Sequence, residues 1–84
     1  MPYTQIIWDL DTDPEGNVQH IASHGVSREE VGEVLAGPVA VGVSRSSGCP
    51  IAFGFTSTGR YLAVIFEEID PDTAFPITAY DVSV

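Results

Sequence analysis

The segment from residue 24 to residue 38 constrains the fold most strongly, because it carries a helix end, a helix start and a second helix end in close succession. Gly25 stands where a left-handed residue ends a first helix. Ser27 and Glu30 have the spacing of a capping box, in which each side chain accepts an amide proton from the other residue. A Gly-Pro pair at 37–38 ends the second helix. The sequence therefore predicts two short helices joined by a tight turn.

The first of these helices is predicted from its own start signals. Asp13 is suited to the N-cap and Pro14 to the first helical position. Val18, Ile21 and Ala22 follow at the spacing of one apolar stripe. Val31, Val34 and Leu35 form the corresponding buried face of the second helix.

Strand patterns flank the helical segment on both sides. Residues 3–10 are rich in aromatic and β-branched residues, which favours a first strand. The runs 39–43, 50–56, 60–68 and 74–84 predict four more strands, and the most apolar, 60–68, is expected at the centre. Pro76 in the last run predicts an edge position or a bulge. The expected class is α+β: an N-terminal strand, two short helices and then a four-strand antiparallel sheet (β-α-α-β-β-β-β).

Charge limits what the chain can bind. It has 84 residues, which predict one domain spanning residues 1–84. Twelve acidic residues face three arginines and no lysine, for a net charge of −9. Phosphate binding requires cations, so this balance argues against nucleic acid and favours a protein partner. No apolar run approaches the roughly 20 residues of a membrane span. The single cysteine, Cys49, cannot form an internal disulfide, and a reducing, cytoplasmic location is expected.

Two acidic clusters, Asp9–Glu15 and Glu67–Asp72, raise the question of a metal. The first begins like a calcium loop, but Pro14 stands where a glycine is needed and His20 where a glutamate is needed. The simpler interpretations are that the first cluster stabilises a helix N-terminus and that the second is a solvated hairpin. His20 and His24 share a helix face, but zinc needs at least one further ligand. The sequence therefore predicts neither a metal nor a cofactor.

The arginines supply the remaining candidate site. Arg60 near His24, with Arg45 and the hydroxyls of neighbouring turns, has the chemistry of a small anion pocket. The hydroxyls are those of Ser46, Ser47, Ser57 and Thr58. Ion pairing between the arginines and the many acids is the alternative. His24 is also suited to the C-terminal end of its helix, where the helix dipole favours a positive charge.

The run "WDLDTDPEGNVQHIASHGVSREEVGEVLAGP" resembles the opening of the BrnT family, the toxins of BrnT–BrnA toxin–antitoxin pairs. The matching residues there are Trp8, Asp9, Asn17, His24, Gly25, Val26, Ser27, Glu30 and Pro38. The hairpin "STGRYLAVIF" is similar to the family's Gly-Arg-x-Leu-x-Val strand through Gly59, Arg60, Leu62 and Val64. The resemblance covers roughly residues 6 to 68 and implies a RelE-like ribonuclease fold.

The resemblance also implies a site at His24, Arg60, Arg45 and Tyr80, but several of the family's cations are replaced. Ser23 stands where members carry a basic residue before the histidine. Tyr80 and Asp81 stand where the last strand of the family has an arginine and another basic position. Ribonuclease chemistry depends on such cations. The sequence thus favours a non-catalytic member that binds a protein, either an antitoxin-like partner or itself. The alternative is an active ribonuclease toxin that cleaves mRNA.

Overall fold

The computed structural model describes residues 3–82. In chain order the elements are β1 (Gln5–Ile6), α1 (Asn17–Ser23), α2 (Arg28–Ala36), β2 (Ala40–Val43), β3 (Pro50–Phe55), β4 (Tyr61–Asp70) and β5 (Thr73–Asp81). The α+β class and the predicted order of elements are confirmed. No helix among the described residues is long and apolar enough to cross a membrane.

The sheet differs from the prediction in its first strand. It has five strands in the order β1-β5-β4-β3-β2, and β1 runs parallel to β5 while the other pairs are antiparallel. The prediction of a separate four-strand antiparallel sheet is therefore wrong. The physical reason is that the two helices carry the chain across one face to the far edge, where β2 begins. The antiparallel strands that follow then bring β5 back beside β1. The amide of Gln5 donates to the Asp72 carbonyl at 3.0 Å, and the amide of Ile7 to the Ala74 carbonyl at 2.9 Å.

β4 is the central strand, as its apolar run predicted. β5 lies between β4 and β1, so Pro76 is on an inner strand and is fully buried. The register passes from Ile65 opposite Thr78 to Phe66 opposite Pro76, which leaves Ile77 as an extra residue. The proline is thus accommodated by a β-bulge, one of its two predicted positions.

Helix α1 begins later than predicted. Its N-cap is Gly16, because Asp13 closes a turn in which its side chain accepts from the Glu15 amide and its carbonyl from the Gly16 amide. The prediction of Asp13 as N-cap is therefore wrong. The buried residues of the helix are Asn17 and Ile21. The stripe prediction fails in one member, since Ala22 is exposed.

Helix α2 follows its local signals closely. The capping box of Ser27 and Glu30 is present with both hydrogen bonds. Both helices pack on one face of the sheet, where a single core forms. Its members are Ile21, Val26, Val31, Val34, Leu35, Ala52, Leu62, Val64, Phe66, Ala74 and Ala79. A Cβ added to Gly54 would lie 3.3 Å from Val34 Cγ1, so this glycine lets α2 approach β3 closely.

Candidate functional site

His24 is the C-cap residue of α1. Its helix ends in a Schellman arrangement, in which the Val26 amide donates to the Ile21 carbonyl and the Gly25 amide to the Ala22 carbonyl. Gly25 has a φ of 75°, the left-handed conformation that the sequence predicted. The His24 side chain is exposed and packs edge-on against His20, with ring centroids 5.4 Å apart. The local turn therefore accounts for the position of His24.

Arg60 lies directly beside this turn, immediately before β4. One guanidinium nitrogen, Nη1, donates to the Gly25 carbonyl and to both Glu30 carboxylate oxygens, each at 2.9 Å. The Nε and Nη2 atoms donate to Asp81 Oδ2 at 3.2 and 3.1 Å. Arg60 thus joins the α1–α2 turn, α2, β4 and β5 through a single side chain.

The charges around Arg60 agree with this geometry. The hydrogen bonds that Arg60 donates to Glu30, and then those to Asp81, raise the pKa of its guanidinium above the ordinary value. Burial by itself would raise the pKa of Glu30. That effect is outweighed by hydrogen bonds from the Ser27 amide and Arg60, which leave the pKa of Glu30 lower than usual. Two carboxylates around one guanidinium give the group a net charge of −1, so it offers no excess positive charge to an anion.

The other two candidate residues lie elsewhere. Arg45 is in the β2–β3 loop, at the opposite end of β3 from the β3–β4 loop that precedes Arg60. Six residues of strand separate the two loops by about 20 Å. Tyr80 follows Ala79, which faces the helices, so Tyr80 points to the other face of the sheet. Of the four predicted site residues, the fold brings together His24 and Arg60 and separates Arg45 and Tyr80 from them.

The hydroxyls expected around an anion are divided in the same way. Ser46 and Ser47 belong to the β2–β3 loop, whereas Ser57 and Thr58 belong to the β3–β4 loop. Near Arg60, the Ser57 amide donates to the carboxylate of Glu33 at 3.2 Å, so another acid occupies this end of the sheet. The predicted anion pocket is therefore not assembled.

The first acidic cluster fastens the N-terminal segment to α1. Asp9 and Asn17 exchange hydrogen bonds, each side chain accepting from the other residue's amide at 2.9 Å. Asn17 Nδ2 also donates to the Ile7 and Pro76 carbonyls at 3.0 Å. Asn17 is only 4% exposed, so these bonds satisfy a buried amide. No local pattern predicts this role for Asn17, which the sequence singled out only through the BrnT resemblance.

A cavity of about 300 Å³ lies next to this cluster, between α1 and β5. Asp9, Glu15 and His20 line its polar side, and Phe75 and Ile77 its apolar side. Asp9 Oδ2 already accepts from the Asn17 amide. Within residues 3–82, no group of three or more histidine, cysteine or acidic side chains could hold a metal ion.

The second acidic cluster has a structural role at one end. The Tyr3 hydroxyl donates to the carboxylate of Glu68, and the Tyr3 ring packs edge-on against Phe66 at 5.0 Å. Burial, followed by the hydrogen bond and charge of Glu68, raises the pKa of Tyr3 to about 12. At the β4–β5 turn, the Asp72 amide donates to Asp70 Oδ1 at 2.9 Å. The Tyr3 contacts attach the N-terminal segment to the sheet, and the Asp70 contact stabilises the turn.

The sheet face opposite the helices is a feature that the sequence analysis missed. Phe53, Phe55 and Tyr61 lie on it, with the Phe55 and Tyr61 rings 4.7 Å apart and Phe53 and Tyr61 6.2 Å apart. Phe55 is 59% exposed. The alternation of the strand runs contained this information, since Phe53 and Phe55 stand in phase on β3. The predicted order of elements contains only two short helices, which cover one face of the sheet and leave this second face uncovered.

Comparison of the chain with protein-family profiles, curated proteins and solved structures found no match. The BrnT resemblance therefore depends on the residues quoted above alone.

Proposed function

We propose that this chain is a non-catalytic, BrnT-like protein-binding module of a toxin–antitoxin-type system, working in the cytoplasm without a cofactor. The observation that carries the proposal is the state of Arg60. In a ribonuclease this cation would hold phosphate and stabilise the negative charge of the transition state. Here its N–H groups already donate to Glu30, Asp81 and the Gly25 carbonyl.

Four of the five N–H groups of Arg60 are engaged in this way, so a phosphate bound by two parallel hydrogen bonds would have to displace one of these acceptors. Charge-assisted hydrogen bonds are the strongest that an arginine makes, and the Glu30 pair has both carboxylate oxygens within 2.9 Å. An incoming phosphate would also meet the remaining carboxylate at close range. RNA binding at Arg60 is therefore opposed by both lost hydrogen bonds and repulsion.

His24 lacks the neighbours that acid–base catalysis requires. A catalytic histidine is oriented by a hydrogen bond to its second ring nitrogen. In the described part of the chain, the His24 ring contacts His20, and no side-chain hydrogen bond fixes its orientation. The exposed apolar side chains, by contrast, support a protein-binding role.

Active ribonuclease is the second candidate, because Arg60 and His24 do lie at the same turn. The two functions separate in a cleavage assay with purified protein and an mRNA at about 150 mM salt. We expect no cleavage above the buffer control and no retardation of the RNA.

His24→Ala is the informative variant, because Arg60 also holds the fold together. Arg28→Ala is its matched control, since it removes a cation outside the predicted site. Cleavage by the wild type and by Arg28→Ala that disappears in His24→Ala would show a working ribonuclease and refute the proposal. Growth arrest on expression, relieved by His24→Ala alone, would do the same in cells.

A further inference from the structure

We propose that β2 is a self-association edge: it pairs antiparallel with β2 of a second copy of this chain, with Gly42 at the two-fold axis. The inference rests on the proposed protein-binding function and names the partner. It places the interface on the open edge of the sheet, away from Arg60 and His24.

Half of the peptide groups of β2 point away from β3 and have no partner within the sheet. The Ser44 amide donates to the Cys49 carbonyl across the β2–β3 pair at 2.8 Å. Bonded positions alternate along an antiparallel pair, so Gly42 also faces β3. Val41 and Val43 therefore direct their N–H and C=O groups outward. An outward row of this kind is a template for another strand.

The side chains of the edge are apolar and exposed. Val41 and Val43 are 62% and 69% exposed, and their pairing with Ala52 and Pro50 places them on the side of the sheet that carries the helices. Edge strands of monomeric proteins are commonly protected by lysines, by an inward-pointing charge or by proline within the strand. Residues 40–43 contain none of these. The edge is thus suited to burial.

The distribution of charge makes β2 the edge at which a second copy is least repelled and at which a basic partner finds no acid on the strand to pair with. All 12 acidic residues lie outside residues 34–66, a stretch that contains Arg45 and Arg60 and no acid. The rest of the chain holds the 12 acids and Arg28, a net charge of −11. Two copies with net charge −9 repel each other over most approaches, and β2 is where that repulsion is least. The opposite edge, β1, has two residues and is followed by the acids of Asp9–Glu15.

The edge is also complementary to itself. When Gly42 faces Gly42 of the other copy, Val41 stands opposite Val43 and can exchange both backbone hydrogen bonds with it. The Gly42 pair is then a non-hydrogen-bonded pair, the closest approach in an antiparallel ladder, and it carries no side chain to obstruct it. Each Val41 side chain meets a Val43 side chain across the interface, a favourable cross-strand contact.

The test is the mass of the protein in solution, measured by light scattering during size exclusion at several concentrations. We expect the wild type to reach twice the 9.0 kDa chain mass. Val41→Lys should abolish the dimer through charge repulsion, and Val43→Pro through loss of an outward N–H that the monomer does not use. Leu10→Lys is the matched control, because it adds the same charge at a position that is 77% exposed and follows β1, the strand at the opposite edge of the sheet. It should remain dimeric.

Amide hydrogen exchange supplies a second measurement that does not depend on any variant. The Val41 and Val43 amides should be protected in proportion to protein concentration, and circular dichroism should show that the variants fold. A wild type that stays at 9.0 kDa overturns the inference. A dimer that survives both Val41→Lys and Val43→Pro also overturns it, since the interface would then lie elsewhere. Neither outcome produces RNA cleavage, so failure of this inference is distinct from failure of the proposed function.

Discussion

Replacing Asn17 with alanine tests whether the N-terminal segment is held to the sheet by one buried amide. The side chain accepts from the Asp9 amide and donates to the Ile7 and Pro76 carbonyls. Each such bond contributes about 1 kcal/mol net, so Asn17→Ala should lower the free energy of unfolding by about 3 kcal/mol. This figure is a lower bound, because the variant also leaves the Asp9 amide and the Ile7 and Pro76 carbonyls without the Asn17 partner, and a buried polar group without a partner is destabilising.

The measurement is urea unfolding followed by circular dichroism. With a slope of about 1 kcal/mol per molar urea for a domain of this size, the midpoint should fall by about 3 M. His20→Ala is the control: it removes an exposed side chain from the same helix that contacts the exposed His24 ring, and it should change stability by less than about 0.5 kcal/mol. A loss below about 1 kcal/mol for Asn17→Ala, with an unchanged slope, would refute the described hydrogen bonding.

Two further predictions concern α2. Gly54→Val should destabilise the protein by about 1 to 3 kcal/mol in the same unfolding assay, because its side chain would be forced against Val34 and the α2 backbone, whereas Gly42→Val, in more open surroundings, should cost less. The lowered pKa of Glu30 means that its contribution to stability is present above its ordinary pKa of 4.5 and is lost as pH falls through the lower folded-state value. Thermal melting between pH 7 and pH 3 should therefore show a smaller acid-induced loss in Glu30→Gln than in the wild type, and equal losses in the two proteins would contradict this assignment.

The features predicted from sequence were those with a local cause. The capping box of Ser27 and Glu30 and the left-handed Gly25 depend on residues within one or two turns of each other, so their spacing is sufficient. The strand runs were found because each alternates or is continuously apolar over several residues. The first helix start was missed because Asp13 and Pro14 suit a turn as well as they suit a cap.

The features not predicted depend on residues far apart in the chain. The parallel pairing of β1 with β5 joins residue 5 to residue 73, and a two-residue strand is too short to indicate its partner by any sequence pattern. Asp81 was interpreted as a lost cation, whereas in the fold it is a hydrogen-bond acceptor for Arg60. The acid-free stretch 34–66 was visible in the sequence, but its meaning depends on the topology that places β2 at an edge.

Glu30 explains why phosphate binding and folding oppose each other in this chain. One of its carboxylate oxygens accepts from the Ser27 amide at 3.0 Å and from Arg60 at 2.9 Å. The same side chain therefore caps α2 and neutralises Arg60. Freeing Arg60 for an anion would require Glu30 to turn away, which would break the capping box at the start of the helix that covers β3. The arrangement makes Arg60 part of the framework, and phosphate binding at this position would require a different cation or a different cap for α2.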